Sequence, residues 1–225
     1  MTGLVVVDKP AGPSSMDVVR RVRRAAGGVK TGHAGTLDPL ATGVVICCLG
    51  RATRCVEPLM GLAKTYEATV ALGAYTATDD LESEPQPVAV DAAPGGEAVA
   101  SACARFVGEL WQVPPAHSAA RVGGRRAYRV ARKGGRVELE PRLVRIDAIE
   151  VVAYDWPRLE LRVTCGRGTY IRGLARDLGR ALGTGGHLAR LRRTAVGPYR
   201  VEQAMSWQRC GEPIGPEDLL PTPGR

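Results

Sequence analysis

The segment that most restricts how this chain can fold is residues 32–43, with the sequence GHAGTLDPLATG. Its glycines permit backbone conformations that other residues resist, and Pro39 fixes a backbone dihedral directly after Asp38. Such a loop presents one carboxylate rigidly, and catalysis by positioning requires rigid presentation. An arbitrary Asp-Pro pair more often only caps a turn, so the loop alone leaves both interpretations open.

The apolar periodicities around this loop predict a mixed α+β fold, because strand and helix patterns interleave without regular βαβ spacing. Residues 64–73 alternate like a half-buried strand, with Tyr66 on the apolar side. Ser14, followed by Asp17, is a capping-box-like start for a helix that ends at Gly27. The other predicted strands are 3–7, 44–49, 143–154, 158–166 and 188–196, the other predicted helices are 52–60, 98–110 and 170–182, and 79–96 is predicted as a loop.

A formal net charge of +8 and an isoelectric point of about 9.5 favour an anionic partner. Coding bias can also produce a basic composition, so clustering of the charge decides between the two. No acidic residue interrupts the basic run between His117 and Val137. Such a run can be a solvated face, but with Tyr128 inside it can also grip RNA by stacking and phosphate contacts. Its members are Arg121, Arg125, Arg126, Arg129, Arg132, Lys133 and Arg136.

Several classes of site lack their sequence signals. The six cysteines form no C-x-x-C pair and the chain has only three histidines, so no metal site is expected. No Rossmann or P-loop pattern occurs, and no cofactor is expected. No apolar run approaches membrane-spanning length, and the first residues lack a signal-peptide pattern. A cytoplasmic protein without membrane contact is therefore expected.

Residues 32–43 resemble the catalytic motif of the TruB-type tRNA pseudouridine synthases. Other blocks resemble the same family in the same order, and the resemblance extends from about residue 3 to about residue 210. The basic run also resembles the RNA-gripping insertion of that family. The further matching blocks are VDKPAG at 7–12, KTY at 64–66, GRRAYRVAR at 124–132, CGRGTYIR at 165–172 and LRR at 191–193.

The resemblance implies a role for each matching residue. Asp38 is the carboxylate that initiates cleavage of the C–N glycosidic bond of a uridine. Tyr66 stacks on the flipped base and assists the late proton removal, and Arg172 pairs with Asp38. The substrate-binding residues that it implies are Lys9 and Pro10 at the floor of the site, His33 at the flipped nucleotide, Asp80 in the acidic loop, Tyr170, Leu191 in the uracil pocket, and Arg121, Arg125, Arg126, Arg129 and Arg132 on the RNA.

The implied fold is the pseudouridine synthase fold, a mixed, mainly antiparallel sheet with flanking helices and a basic RNA-gripping insertion. Residues 1–210 are expected to form the catalytic domain, with the insertion at about 115–142. Residues 211–225 are expected to be a tail rich in proline and glycine. The C-terminal PUA-like domain of this family is expected to be absent.

The implied function is isomerisation of uridine 55 in the T-loop of tRNA to pseudouridine. The reaction needs no redox cofactor, metal or group donor, but the base must be extruded from the RNA stack. The expected partner is the T-arm stem-loop, bound by a monomer without a protein partner. Two alternatives stay open, namely a guide-dependent, dyskerin-type synthase and an RNA-binding or tRNA-folding protein in which catalysis is secondary.

Overall fold

A computed structural model of the protein describes residues 1–118, 121–122, 125–126 and 139–222, the four residues at 121–122 and 125–126 by their backbone only. The chain divides into two compact units. The first unit comprises Met1–Tyr66 and Leu191–Arg225, and the second comprises Glu67–Arg190.

The first unit is built on two buried strands, β1 (Gly3–Lys9) and β3 (Thr42–Leu49). They pair antiparallel, from Gly3 opposite Leu49 to Lys9 opposite Gly43. A short strand, β2 (Thr31–His33), also pairs antiparallel with β3. The residues between β2 and β3 form the loop that carries Asp38, so two paired strands hold both ends of that loop.

Helix α1 (Ser15–Ala25) begins as the sequence predicts. The Asp17 backbone N–H donates to the Ser14 hydroxyl over 3.2 Å, and the Ser14 N–H donates to the Asp17 carboxylate over 2.9 Å, which completes the capping box. Val18, Val19 and Val22 are buried. The helix predicted at 52–60 is instead a 3-10 helix, Gly50–Cys55, followed by α2 (Val56–Gly61).

The last part of the chain returns to the first strand. Strand β12 (Gly186–Val196) pairs parallel with β3 at Thr42 and Gly43, and β13 (Tyr199–Arg200) folds back on β12. Leu220 and Leu4 exchange backbone hydrogen bonds of 2.8 and 2.9 Å, and Ile214 is buried. Residues 211–222, which the sequence suggests as a tail, are therefore packed against the body of their unit.

Strands dominate the second unit, and they follow the alternating patterns of the sequence. In strand β4 (Lys64–Leu72), which starts in the first unit, Tyr66, Ala68, Val70 and Leu72 are all buried, as predicted. The short strands β5 (Ala74–Tyr75) and β6 (Gln86–Pro87) pair with each other, so the predicted loop at 79–96 contains one short strand.

The predicted helix at 98–110 is wrong in its second half. Helix α3 (Gly96–Ala104) ends early, and the chain continues as strand β7 (Gly108–Gln112). Gly108 has a φ of 109°, a left-handed value that no helix accommodates and that glycine adopts freely. The apolar residues after Ala104 thus serve a strand and not a fourth helical turn.

A long hairpin completes the second unit. Strand β10 (Arg142–Asp155) pairs antiparallel with β7 on one side and with β11 (Arg158–Cys165) on the other. Within this unit the strand order is β4-β11-β10-β7. Helix α4 (Ile171–Ala181) follows and buries Ile171, Leu174, Ala175 and Leu178. The pairing is mainly antiparallel, so the mixed α+β prediction is confirmed.

The basic insertion is described only in part. Two short strands, β8 (Arg121–Val122) and β9 (Arg125–Arg126), pair antiparallel, with Arg121 opposite Arg126. Arg129 and Arg132 lie outside the described residues. Elsewhere, five of the six cysteines are buried. In the described part of the chain, no helix has the length and apolarity needed to span a membrane.

Candidate active site

Asp38 is half-buried in the loop between β2 and β3, and the backbone on both sides of it is fixed. The Ser15 hydroxyl donates to the Leu37 carbonyl over 2.9 Å and accepts from the Leu37 N–H over 2.8 Å. On the other side, the Gly12 N–H donates to the Pro39 carbonyl over 2.8 Å. The predicted rigid presentation of the carboxylate therefore has a physical basis in contacts from α1 and from the turn after β1.

Lys9 is fully buried at the end of β1 and fastens two turns to each other. Its ammonium group donates to the carbonyls of Pro10, Pro13 and Pro39 over 2.8, 2.9 and 3.2 Å. An ammonium group has three N–H donors, so all three are used. Burial lowers the pKa of Lys9 to about 8, while the negative charge of Asp38 opposes this change. Lys9 thus fastens the turn after β1 to the Asp38 loop, and its place at the floor of a substrate site stays a prediction.

Arg193 of β12 is 1% exposed and donates to three backbone carbonyls around the Asp38 loop. Nε donates to Val44 over 2.7 Å, and the two terminal nitrogens donate to Thr36 over 3.3 Å and Gly35 over 3.2 Å. The sequence places Arg193 inside a matching motif and groups it with Arg190 and Arg192 as an extension of the RNA-binding basic run, and it does not predict that Arg193 supports the Asp38 loop. The available signal was an arginine in a strand whose neighbours at 191 and 195 are apolar.

Gly43 explains why the loop closes so tightly on β12. It has a φ of 104°, and a Cβ atom added there would collide with the backbone of Arg193. Only glycine fits both the left-handed backbone and this close approach. Leu191 and Tyr66, which the resemblance assigns to the base pocket, are both buried in the first unit, at 6% and 8% exposure. Their contacts with a uracil, and that of the half-buried His33 with RNA, stay predictions.

In the second unit, a buried ion pair joins Arg172 of α4 to Asp80 over 3.2 Å. Arg172 also donates to the carbonyls of Thr78 over 3.2 Å and His117 over 3.0 Å. The Asp80 carboxylate accepts further hydrogen bonds from the Thr78 hydroxyl, over 2.6 Å, and from the Glu82 N–H, over 3.0 Å. The predicted pairing of Arg172 with Asp38, and a direct contact of Asp80 with RNA, stay predictions.

Arg176, one turn further along α4, repeats this arrangement. It pairs with Asp79 over 2.9 Å and donates to the Val113 carbonyl over 2.9 Å. Asp79 has a φ of 59°, which is rare for a residue other than glycine. Burial raises the pKa of Asp79, and the charge of Arg176 opposes this effect. The two arginines together fasten the turn at 78–80 and the segment at 113–117, which leads into the basic insertion.

Gln112 is a second residue that sequence reasoning missed. Its side chain accepts from the Tyr170 N–H over 2.8 Å and donates to the Tyr170 carbonyl over 3.1 Å. Tyr170 is the N-cap of α4, so Gln112 fixes the start of the helix that carries Arg172. Within the described residues, no group of three or more His, Cys, Asp or Glu side chains could hold a metal ion.

Solved structures similar to this chain support the fold. The protein in the structure titled "Crystal Structure of a Cbf5-Nop10-Gar1 Complex" is 30% identical with a TM-score of 0.72, over 92% of this chain and 52% of that chain. Another, "Structure of H/ACA RNP bound to a substrate RNA containing 2'-deoxyuridine", is 28% identical with a TM-score of 0.68, over 92% and 51%. The chain thus spans about half the length of these solved chains.

Curated relatives are more similar. A tRNA pseudouridine synthase B of Arthrobacter sp. (strain FB24) is 48% identical over 95% of this chain and 72% of the relative. One of Thermobifida fusca (strain YX) is 50% identical over 90% of this chain and 72% of the relative. Residues 23–171 match the family model "TruB family pseudouridylate synthase (N terminal domain)", and residues 172–211 match "tRNA pseudouridylate synthase B C-terminal domain". The chain belongs to the TruB family of pseudouridylate synthases.

Proposed function

We propose that this protein isomerises a uridine of tRNA to pseudouridine, at position 55 in the T-loop, with Asp38 as the catalytic carboxylate. The observation that carries the proposal is the rigid loop around Asp38, whose neighbours Leu37 and Pro39 are bonded to Ser15, Gly12 and Lys9. A half-buried carboxylate held in this way can meet a substrate atom without first being ordered.

The chemistry is an isomerisation in which atoms balance without a co-reactant. The bond between C1′ and N1 breaks, the uracil turns, and a bond between C1′ and C5 forms. C5 loses a proton and N1 gains one, so no electron donor or acceptor is involved. Asp38 initiates the first step, and the positive charge of Lys9 interacts with its carboxylate.

The uridine must leave the RNA stack before Asp38 can reach it. Enzymes that act on a base extrude it into a pocket lined by aromatic and apolar groups. Tyr66 and Leu191 lie in the same unit as Asp38 and supply these two kinds of group. In this proposal Tyr66 stacks on the flipped base, and His33 keeps the nucleotide in its flipped position.

Binding of the T-arm is assigned to the basic insertion. The net charge of +8 suits a polyanion, and the run at 121–136 concentrates part of that charge. Arg172 and Arg176 tie the segment that precedes the insertion to α4, so the insertion starts from a fixed point. The proposal includes a monomeric enzyme that works in the cytoplasm on tRNA alone.

Release of tritium from tRNA labelled at C5 of uridine tests the reaction, because C–C bond formation displaces that hydrogen. The purified protein and a tRNA transcript should suffice, with one equivalent released per tRNA and none from a transcript with cytidine at position 55. Asp38→Asn should bind tRNA but release no tritium, whereas Asp91→Asn, at an exposed acid, should match the wild type. Tritium release by Asp38→Asn would show that the Asp38 carboxylate does not initiate the reaction.

The extent of the RNA substrate needs a separate comparison. The residues assigned to chemistry lie between Lys9 and Arg193, and binding of the T-arm is assigned to the basic run at 121–136. An isolated T-arm hairpin should therefore react nearly as well as whole tRNA, judged by kcat/KM at equal ionic strength. A preference for whole tRNA above roughly a hundredfold, about 2.7 kcal/mol of transition-state binding, would contradict this part of the proposal.

A guide-dependent reaction is the second candidate, since one similar solved structure is titled as an H/ACA RNP bound to a substrate RNA. That alternative requires an added guide RNA, so turnover on tRNA alone excludes it. The higher identity to relatives named tRNA pseudouridine synthase B favours the guide-independent reaction. If Asp38→Asn still accelerates tRNA folding, RNA folding is an additional activity of the same surface.

A further inference from the structure

Arg193 connects the two ends of the Asp38 loop through one side chain. The terminal nitrogens of Arg193 donate to the carbonyls of Gly35 and Thr36, which precede Asp38. The Nε atom of Arg193 donates to the carbonyl of Val44, which lies in β3 after the loop. The backbone of Arg193 also packs against Gly43, where the loop ends. The entrance and exit of the loop are therefore fixed by the same residue.

The buried guanidinium group of Arg193 has only neutral hydrogen-bond acceptors in the described part of the chain. Among residues 1–118 and 139–222, no carboxylate oxygen lies within 4 Å of it, and all its acceptors are neutral carbonyls. Taking a charged group out of water costs several kcal/mol, which hydrogen bonds offset only in part. An apolar side chain of similar size would avoid that cost but would leave the carbonyls of the loop unsatisfied.

The preceding residue, Arg192, provides a contrast within the same strand. It is partly exposed and forms a two-pronged ion pair with Asp8, with N–O distances of 2.8 and 3.1 Å. It contacts the loop only at the Thr42 hydroxyl, over 3.3 Å. Both arginines are held by several hydrogen bonds, but only Arg193 bonds to carbonyls on both sides of Asp38.

We propose that Arg193 is a positioning residue for the catalytic step, which fixes the loop geometry and places a positive charge at the base of the loop that carries Asp38. The inference rests on the proposed function of Asp38. The planar fork is essential in this role, because its nitrogens point to acceptors in two different parts of the loop. The charge of Arg193 also acts on Lys9, so the two buried cations belong to one electrostatic environment.

The test compares Arg193→Lys and Arg193→Met with the matched variants Arg192→Lys and Arg192→Met. For each, the single-turnover rate, the Kd for tRNA, the number of tRNA molecules bound per protein and the thermal midpoint are measured. Because small displacements of a catalytic group cost about a hundredfold in rate, Arg193→Met should lose about that factor. Arg193→Lys, which keeps the charge but not the fork, should lose about tenfold. Kd and binding stoichiometry should stay within about threefold of the wild type, since Arg193 is only 1% exposed.

The outcomes of these measurements either support or overturn the positioning role of Arg193. Arg193→Met can fail to fold, and Arg193→Lys then carries the comparison. A wild-type single-turnover rate in Arg193→Lys would overturn the proposal, as would an equal loss in Arg192→Lys or a loss that appears only in Kd. If the wild-type protein itself releases no tritium from tRNA, the proposed function fails, and that result does not depend on any arginine variant.

Discussion

Both units of the molecule use buried or largely buried cations to hold a turn that carries a carboxylate, but those cations have different acceptors. In the first unit, Lys9 and Arg193 donate to backbone carbonyls around Asp38. In the second unit, Arg172 and Arg176 donate to carbonyls and also pair with the carboxylates of Asp80 and Asp79.

The difference separates a positioned charge from a neutralised one. An arginine paired with a carboxylate at 2.9–3.2 Å has little net charge left to act on its surroundings. A cation held by carbonyls keeps its full charge. In the case of Lys9, that charge acts on the nearby carboxylate of Asp38. The ion pairs of the second unit stabilise the turn at 78–80, whereas Lys9 and Arg193, held by carbonyls, place positive charge in the unit that carries Asp38.

The largest expected effect comes from exchanging one carboxylate in each unit. Asp38→Asn should lower kcat by about 10⁴-fold or more, because it removes the group that initiates the reaction. It should change the free energy of unfolding less than Asp80→Asn does, because Asp38 is half-buried whereas Asp80 is 1% exposed. Asp80→Asn should instead cause a large loss of stability, because Arg172 loses its ion pair at 3.2 Å with this buried carboxylate. Tritium release gives the turnover of both variants, and denaturant unfolding gives their stability. Equal losses of turnover and of stability in the two variants would contradict the proposed difference between the units.

Removing the cation of the second unit is the next test. Arg172→Met leaves Asp80, whose side chain is 1% exposed, without its arginine, and should cost about 3–5 kcal/mol of stability. Arg180→Met is the matched control, since that arginine lies on the same helix with its side chain 70% exposed. Urea unfolding gives both values. If Arg172→Met changes the free energy of unfolding by less than about 1 kcal/mol, the ion pair between Arg172 and Asp80 does not stabilise the fold.

Gln112 offers a neutral version of the same comparison. Gln112→Ala leaves the Tyr170 N–H without its acceptor at the start of α4 and removes one of the two donors to the Tyr170 carbonyl, so it should cost about 1–3 kcal/mol. Gln86→Ala, at an exposed glutamine, should leave the free energy of unfolding unchanged. Hydrogen exchange at the first turn of α4 should accelerate in Gln112→Ala alone. Unchanged exchange there would show that the helix start does not depend on this side chain.

The smallest effect concerns Lys9 and pH. As Lys9 loses its proton above pH about 8, kcat should fall, approaching tenfold per pH unit, because one donor and the positive charge near Asp38 are lost. Stability should respond in the opposite sense. Between pH about 8 and 10.5 the unfolded chain binds this proton more strongly than the folded chain, so the contribution of Lys9 to stability improves as pH rises.

Rate and thermal midpoint measured from pH 7 to 9.5 separate these two trends. Lys9→Met should have a lower rate throughout and should lack the alkaline fall, whereas Lys30→Met, at an exposed lysine, should retain it. An alkaline fall of equal size in Lys9→Met would assign the titration to another group.

Local signals in the sequence predicted a large part of this structure. The capping box at Ser14 and the alternation along β4 each depend on neighbours within a few residues, and both are confirmed. The helix predicted through residue 110 failed because a left-handed Gly108 is not visible in apolar periodicity. Arg193 and Gln112 were missed for another reason, since a buried polar side chain has a role only through partners that are distant in sequence.

The return of β12 to β3 affects the order in which the protein can fold during synthesis. The loop that holds Asp38 emerges from the ribosome early, but Arg193, which closes it, follows about 150 residues later. The second unit, Glu67–Arg190, is continuous in sequence and can fold from its own contacts before then. A chain truncated after Arg190 should therefore contain a protease-resistant second unit and an unformed Asp38 loop, so that the enzyme acquires its catalytic geometry among its last folding events.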